Sequence, residues 1–174
     1  MQKGFFIDLS RCTGCYACVV ACKDQNDIKA GPLKWRRVVR FESGRFPQVS
    51  VRSFSLSCMH CGNPPCVKSC PNRAISKRQE DGIVVVQTSK CIGCRTCSLV
   101  CPFGAPQFNS EGKMEKCDYC LERTEQGLEP ACVQVCPARA ILSGTIEELS
   151  NFAIRNAGKR LISVTDASFF VKAT

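Results

Sequence analysis

Sixteen of the 174 residues are cysteine, and they fall into four groups of four. Cys12, Cys15, Cys18 and Cys22 are spaced C-x2-C-x2-C-x3-C, and Cys91, Cys94, Cys97 and Cys101 repeat that spacing. Cys58, Cys61, Cys66 and Cys70 widen the middle gap to C-x2-C-x4-C-x3-C, and Cys117, Cys120, Cys132 and Cys136 to C-x2-C-x11-C-x3-C. Each group opens with C-x2-C and closes with C-x3-C, so the chain carries one device four times. The start, Met1 to Asp8, has only a short apolar run and no small-residue cleavage site, and a first cysteine at position 12 leaves no room for a removable leader. Arg36-Arg37 lies mid-chain and cannot serve as an export signal. Without export a disulfide scaffold is not expected, because cytosolic thiols are kept reduced. The thiols read as metal ligands.

The spacing selects the metal. A C-x2-C-x2-C-x3-C run, closed by proline as Cys101-Pro102 is, is the bacterial pattern for a [4Fe–4S] cluster, and its fourth cysteine ligates the other cluster of a pair. Three thiols two residues apart let a tight loop wrap one face of a cube. Gly14 and Gly93 keep the backbone slim where amides approach cluster sulfurs. The fourth cysteine lies four residues beyond the third, so a short helix is expected to carry both on one face. Pro71, Pro102 and Pro137 then fix the exit of three groups. The alternative is zinc in four all-thiolate sites, and the fourth group alone resembles a zinc ribbon. Zinc knuckles, however, bring two separated pairs to one ion, whereas groups one and three have almost no chain between their thiols.

No other chemistry has a motif. His60, the only histidine, lies between Cys58 and Cys61, and a Rieske-type site needs two histidines. It is expected to pack or hydrogen-bond beside a cluster. There is no G-x-G-x-x-G and no G-K-[ST], so neither a Rossmann nor a P-loop phosphate site is signalled. Asp24, Asp27, Glu111, Glu115, Glu122, Glu125 and Glu129 read as solvated surface, with no partner motif. Trp35 fits either a packing role or a redox-partner surface. No window approaches a membrane-spanning length of apolar residues. With electron carriers as the only implied cofactors, no substrate-converting site is expected on this chain.

These residues carry a family resemblance. The chain resembles the four-cluster iron–sulfur subunits of the dimethyl sulfoxide reductase type, which serve molybdenum or tungsten bis-pterin enzymes. The likeness rests on CTGCYACVVAC at 12–22, KWRRV at 34–38, SLSCMHCGNPPCVKSCPNRAI at 55–75, EDGIVVV at 80–86, CIGCRTCSLVCPFGAPQF at 91–108, KCDYC at 116–120 and ACVQVCPARAI at 131–141.

The resemblance implies four [4Fe–4S] clusters with interleaved ligands. Cys12, Cys15, Cys18 and Cys136 would hold the first, and Cys22, Cys117, Cys120 and Cys132 the second. Cys58, Cys61, Cys66 and Cys101 would hold the third, and Cys70, Cys91, Cys94 and Cys97 the fourth. It implies an α+β fold of two interleaved bacterial-ferredoxin-like modules, each with two clusters, short hairpins and helices. Residues 1–57 with 102–174 would form one module, and 58–101 an inserted second.

The function implied is an electron-transfer subunit for anaerobic metabolism. It would relay single electrons between a molybdenum- or tungsten-pterin catalytic subunit (a reductase, formate dehydrogenase or aldehyde oxidoreductase) and a further redox partner. That partner would be a flavin-containing or membrane-anchor subunit. Other readings are a stand-alone polyferredoxin, a shuttle for a hydrogenase or carbon monoxide dehydrogenase, and an all-thiolate zinc protein that binds nucleic acid. A cytoplasmic location is expected, with co-export beside a signal-bearing partner as the alternative. Lys23 follows Cys22 where the other groups have proline, and the chain is short for the family.

The elements that position the cysteines are legible in outline. Phe5-Phe6-Ile7 reads as a strand leading into group one. Arg37 to Glu42 and Gln48 to Leu56 flank Ser43-Gly44 and Pro47, a hairpin signature, and Asp81-Gly82 before Ile83 to Val86 suggests a second hairpin feeding Cys91. Thr145 with Glu148 fits a capping box for a helix from Ile146 to Ala157, with Gly158 as its stop. Leu161 to Val164 is expected to add a strand. Ser168 to Thr174, with Phe169 and Phe170, is expected to pack back on the fold rather than dock on a partner.

The net charge of +9 suggests nucleic acid at first sight. Sixteen ligating thiolates, partly offset by four oxidised cluster cores, bring it down to about +1. The basic surplus is then largely cancelled by the cofactors, and no nucleic-acid partner is expected.

Overall fold

The computed structural model describes residues 1–156, 159–160 and 165–172. In chain order the elements are β1 (Lys3–Asp8), α1 (Ala17–Gln25), β2 (Arg37–Arg45), β3 (Gln48–Leu56), α2 (Pro65–Lys68), β4 (Ile75–Lys77), β5 (Val84–Val86) and α3 (Thr96–Val100). They continue with β6 (Gln107–Phe108), β7 (Met114–Glu115), α4 (Leu121–Thr124), α5 (Ala131–Gln134), β8 (Ile141–Thr145), α6 (Ile146–Arg155), β9 (Lys159–Arg160) and β10 (Phe169–Lys172). A single 3-10 turn at Thr88–Lys90 precedes Cys91. This is a mixed helix-and-strand fold in which most elements are short because loops holding cysteines interrupt them.

Among the described residues four strands form the largest sheet, in the order β8-β1-β10-β9. β1 is central: it runs antiparallel to β8, with Phe6 opposite Leu142, and parallel to β10, with Phe6 opposite Phe170. Its alternating side chains reach two cores. Phe5 and Ile7 join Phe169 and Ile141 in a cluster that extends to the cysteine loops. Phe6 and Phe170 turn to the other face and meet Leu149 and Ala153 of α6. This is the period-2 alternation of a strand buried on both faces. The tail strand thus packs back as expected, with Phe169 and Phe170 both buried.

The hairpin β2–β3 is longer than the sequence suggests, pairing from Arg37↔Leu56 to Arg45↔Gln48. The hairpin β4–β5 turns through Asp81-Gly82 as expected, with Gly82 at φ +70°. α6 begins in the expected capping box: Thr145 Oγ1 accepts from Glu148 N, and Glu148 Oε2 accepts from Thr145 N at 2.8 Å. It ends at Arg155, two residues before the expected Ala157. Asn156 leaves helical geometry there, and its side-chain amide donates to Phe152 O. The expected stop at Gly158 and the strand Leu161 to Val164 lie outside the described residues.

The third and fourth cysteines of a group share a helix only in group one, where α1 carries Cys18 and Cys22. In the other groups the helix ends early: Cys101 is already extended at φ −86°, ψ 109°, and Cys70 and Cys136 lie beyond α2 and α5. Proline follows each of these three cysteines and disfavours helical geometry in the residue before it. Lys23 follows Cys22 instead, so α1 runs on to Gln25.

Candidate metal centre

The chain folds so that cysteines distant in sequence line common hollows. One is lined by Cys12, Cys15, Cys18 and Cys136, with Gly14, Ser55 and Ile141. A second is lined by Cys70, Cys91, Cys94 and Cys97, with Met114 and Phe108. A third is lined by Cys58, Cys61, Cys66 and Cys101, with Met59 and Lys116. Each hollow thus has four thiols on its wall and an otherwise largely apolar lining. The remaining thiols, Cys22, Cys117, Cys120 and Cys132, are all buried. They act on one another electrostatically: Cys132 and Cys120 raise the pKa of Cys22, and Cys22 and Cys132 raise that of Cys117.

Backbone geometry repeats from one group to another. Gly14 and Gly93 hold φ of +69° and +72°, and Tyr16 and Arg95, two residues further on, hold +64° and +62°. Both glycines lack room for a side chain: a Cβ on Gly14 would meet Ser53 Oγ at 2.5 Å, and one on Gly93 would meet Gly112 O at 2.8 Å. Groups two and four match likewise. Ala74 N donates to Cys70 Sγ and Ala140 N to Cys136 Sγ, both at 3.3 Å, after left-handed turns at Arg73 and Arg139. Met114 N donates to Cys91 Sγ at 3.3 Å. Amides aimed at sulfur stabilise negative charge there.

Electrostatics favour a cationic guest. Burial pushes the Cys22 thiol up to about 12, with the guanidinium of Arg36 pulling the other way and neighbouring thiols adding to the rise. Burial likewise lifts Cys66 to about 12, reinforced by Cys58. Thiolates gathered in such places need positive charge, and iron supplies it.

Two buried cations and a half-buried one lie close to the thiols, a role the sequence reading did not assign to them. Arg36 is 1 % exposed, bonded to Ser55 Oγ at 3.0 Å and Ser57 Oγ at 2.9 Å, and its guanidinium lies 4.8 Å from the centre of the Phe5 ring. Lys116 is buried beside the third hollow and donates to Val84 O and Cys117 O. Lys77 is half-buried and donates to Cys61 O and Gly82 O. His60 is buried and packs edge-on against Tyr119; its Nδ1 accepts from Val84 N at 3.1 Å. Burial, then the charges of Lys116, Lys77 and Arg36, holds its pKa well below the usual histidine value, so it stays neutral.

Trp35 packs against the main core, and its Nε1 donates to Glu115 Oε2 at 3.4 Å. Glu115 also accepts from Asn109, and Glu125 pairs with Arg78 at 2.7 Å, so these two carboxylates do more than face solvent.

With this geometry established, known proteins are similar in the same regions. The family of 4Fe-4S dicluster domains matches residues 49–146, and that of 4Fe-4S binding domains matches residues 3–24. The probable anaerobic dimethyl sulfoxide reductase chain YnfG of Escherichia coli (strain K12) is 49 % identical over 158 residues, covering 85 % of this chain and 76 % of that one. A sulfite dehydrogenase subunit of Allochromatium vinosum is 39 % identical over 181 residues, covering 90 % and 75 %. A tetrathionate reductase subunit of Salmonella typhimurium is 41 % identical over 150 residues, covering 84 % and 59 %.

Proposed function

The chain belongs to the 4Fe-4S iron–sulfur subunits of the dimethyl sulfoxide reductase type, and from that premise we propose that it is the electron-transfer subunit of a molybdenum- or tungsten-pterin oxidoreductase. The observation that carries the reading is that cysteines distant in sequence line three common hollows, four to each, while the other four are buried and act on one another electrostatically.

In this proposal Cys12, Cys15, Cys18 and Cys136 hold cluster 1, and Cys22, Cys117, Cys120 and Cys132 hold cluster 2. Cys58, Cys61, Cys66 and Cys101 hold cluster 3, and Cys70, Cys91, Cys94 and Cys97 hold cluster 4. Support comes from the hollows and the electrostatic neighbours described above. The sets succeed one another in that order. α1 links the first to the second by Cys18 and Cys22. Cys117 of the second feels the charge of Cys58 of the third. The segment of α2 links the third to the fourth through Cys66 and Cys70. Cys15 of the first set and Cys94 of the fourth are exposed, whereas all four thiols of the second set are buried. When bound, the clusters supply one-electron carriage from set to set. The protein's part is to hold the sulfurs, exclude water from the middle sets and leave the end sets reachable.

The two-module arrangement is part of the proposal: residues 1–57 with 102–174 form one module and 58–101 the other. The matched turns of groups one and three, and of groups two and four, support it. The hairpin β6–β7 packs with the second module, since Phe108 and Met114 line its hollow. A catalytic pterin subunit is the proposed partner, and a flavin or membrane-anchor subunit the proposed second one. Among the described residues no helix is long and apolar enough to cross a membrane. A cytoplasmic location is proposed because a reducing compartment keeps sixteen thiols available for iron; subcellular fractionation tests it against carriage by an exported partner.

Iron and sulfide analysis with a reductive titration followed by EPR tests the cluster content. About sixteen irons per chain and coupled reduced-cluster signals are expected; stoichiometric zinc would overturn the reading. Co-purification from native extracts, with molybdenum and tungsten analysis, tests the partner. A chain that purifies alone with all its clusters would favour the free-standing polyferredoxin.

A further inference from the structure

The guanidinium of Arg36 occupies a place that neither its sequence motif nor the ligand scheme explains. It is almost fully buried, and among the described residues no carboxylate hydrogen-bonds to it or forms an ion pair with it. Its polar partners are two hydroxyls on β3 and the segment after it, Ser55 Oγ at 3.0 Å and Ser57 Oγ at 2.9 Å. Ser55 Oγ also lies 3.3 Å from Cys18 Sγ, and Ser55 lines the first hollow. The groups that offset the buried charge are thiols from two sets: Cys18 of the first, and Cys132, Cys117 and Cys22 of the second. A buried cation is expensive unless paired. Here the pairing partners are the cysteines of two neighbouring clusters.

Resting on the cluster reading above, we propose that Arg36 is a positioning residue that sets the reduction potentials of clusters 1 and 2. It acts as a fixed positive charge held between them by Ser55 and Ser57. Reduction places one further negative charge on a cluster and its four thiolates. A cation fixed nearby favours the reduced form, and does so more strongly where burial lowers the effective dielectric. Arginine suits the role because it keeps its charge at every working pH, and its planar fork binds two hydroxyls at once. The Ser55 hydroxyl, shared between the guanidinium and Cys18, ties this charge to one specific sulfur. The four thiols that chiefly act on Arg36 all belong to the first two sets.

The test uses the purified, fully loaded protein in an EPR-monitored titration with sodium dithionite as electron donor. Arg36→Gln removes the charge and keeps hydrogen-bonding capacity. Arg36→Lys keeps the charge, and Arg45→Gln removes an equal charge at the exposed tip of the β2–β3 hairpin. In Arg36→Gln with full iron content, two of the four midpoint potentials should fall and two should stay. Arg36→Lys should restore most of the shift, and Arg45→Gln should show none.

Unchanged potentials in iron-replete Arg36→Gln would overturn the proposal, as would an equal fall in all four. Loss of iron from both Arg36→Gln and Arg36→Lys would also overturn it, because the residue would then serve assembly and not potential. Iron and sulfide content of the unaltered protein reports on the cluster reading separately, so the two failures are distinguishable.

Discussion

The hydroxyl of Tyr119 bridges Gly4 and Gly144. It donates to Gly4 O at 2.8 Å and accepts from Gly144 N at 3.1 Å, while those two glycines face one another across the β1–β8 ladder. Tyr119 lies between the ligand candidates Cys117 and Cys120, and its ring stacks tilted on Phe5 with centroids 4.7 Å apart. The loop that carries the second cysteine set is thereby fastened to the central sheet. Tyr119→Phe removes both hydrogen bonds and leaves the ring in place. A loss of about 1–3 kcal/mol is expected, since buried partners go unsatisfied. Denaturant unfolding of the loaded protein measures it, and an unchanged midpoint would show that the bridge contributes nothing.

The interleaved ligand scheme makes a non-additive prediction. Cys22→Ala and Cys117→Ala each remove a ligand of the same set, so the double variant should lose no more than either single one, about four irons. Cys18→Ala with Cys22→Ala, though both lie on α1, should lose about twice as many. Iron analysis of the four proteins decides it. Equal losses in both double variants would refute the crossing of ligands between groups one and four.

Gly14→Ala should weaken the first set selectively. The position holds φ +69°, and the added methyl would meet Ser53 Oγ at 2.5 Å. A left-handed conformation alone costs a non-glycine residue about 1–2 kcal/mol. The variant should release iron from one cluster earlier on warming than the other three, followed by visible absorbance. Simultaneous bleaching of all clusters at the unaltered temperature would contradict this.

The capping box of α6 contributes a pH-dependent term. Glu148 is held below its ordinary value of 4.5, first by the Thr145 backbone N–H and then by the Thr145 side chain. Its folded pKa lies below its unfolded one, so its stabilisation is fully present above about 4.5 and is lost as pH falls through the folded value. Thr145→Ala should destabilise the protein by about 1 kcal/mol near neutral pH. Glu148→Gln should flatten the acid limb of the stability profile, measured by thermal melts across that range; a limb identical to that of the unaltered protein would exclude the contribution.

Removal of iron should unfold much of the chain. The loops between β1 and α1, and between the 3-10 turn and α3, have little apolar material other than their cysteines, and metal–thiolate bonds are folding free energy there. Chelation under reducing conditions should abolish the near-ultraviolet signal and expose amides to fast exchange. A sharp native-like melt of the iron-free protein would show that the sheet and α6 suffice alone.

The cysteines made the ligand types, the repeat and both hairpins legible, because thiol spacing and turn residues are local signals. Helix lengths were half legible. Proline after Cys70, Cys101 and Cys136 truncates three helices, whereas Lys23 lets α1 continue; the contrast is visible in the sequence, but spacing alone favours a helix in all four groups. The parallel pairing of β1 with β10 was hidden, because partners more than 160 residues apart leave no local mark. Arg36 was hidden for a different reason: in a basic chain, one arginine of an Arg-Arg pair resembles every other surface charge. The nearest warning was the pair of serines, Ser55 at the end of β3 and Ser57 just after it, two residues apart and just before Cys58.

α1 delivers Cys18 to one set and Cys22 to the next. Occupancy of either site orders the helix on which the other depends, so the two fillings are thermodynamically linked in the positive sense. A vacancy at one set should therefore weaken its neighbour's hold on iron without emptying it, so that each site tunes the affinity of the next.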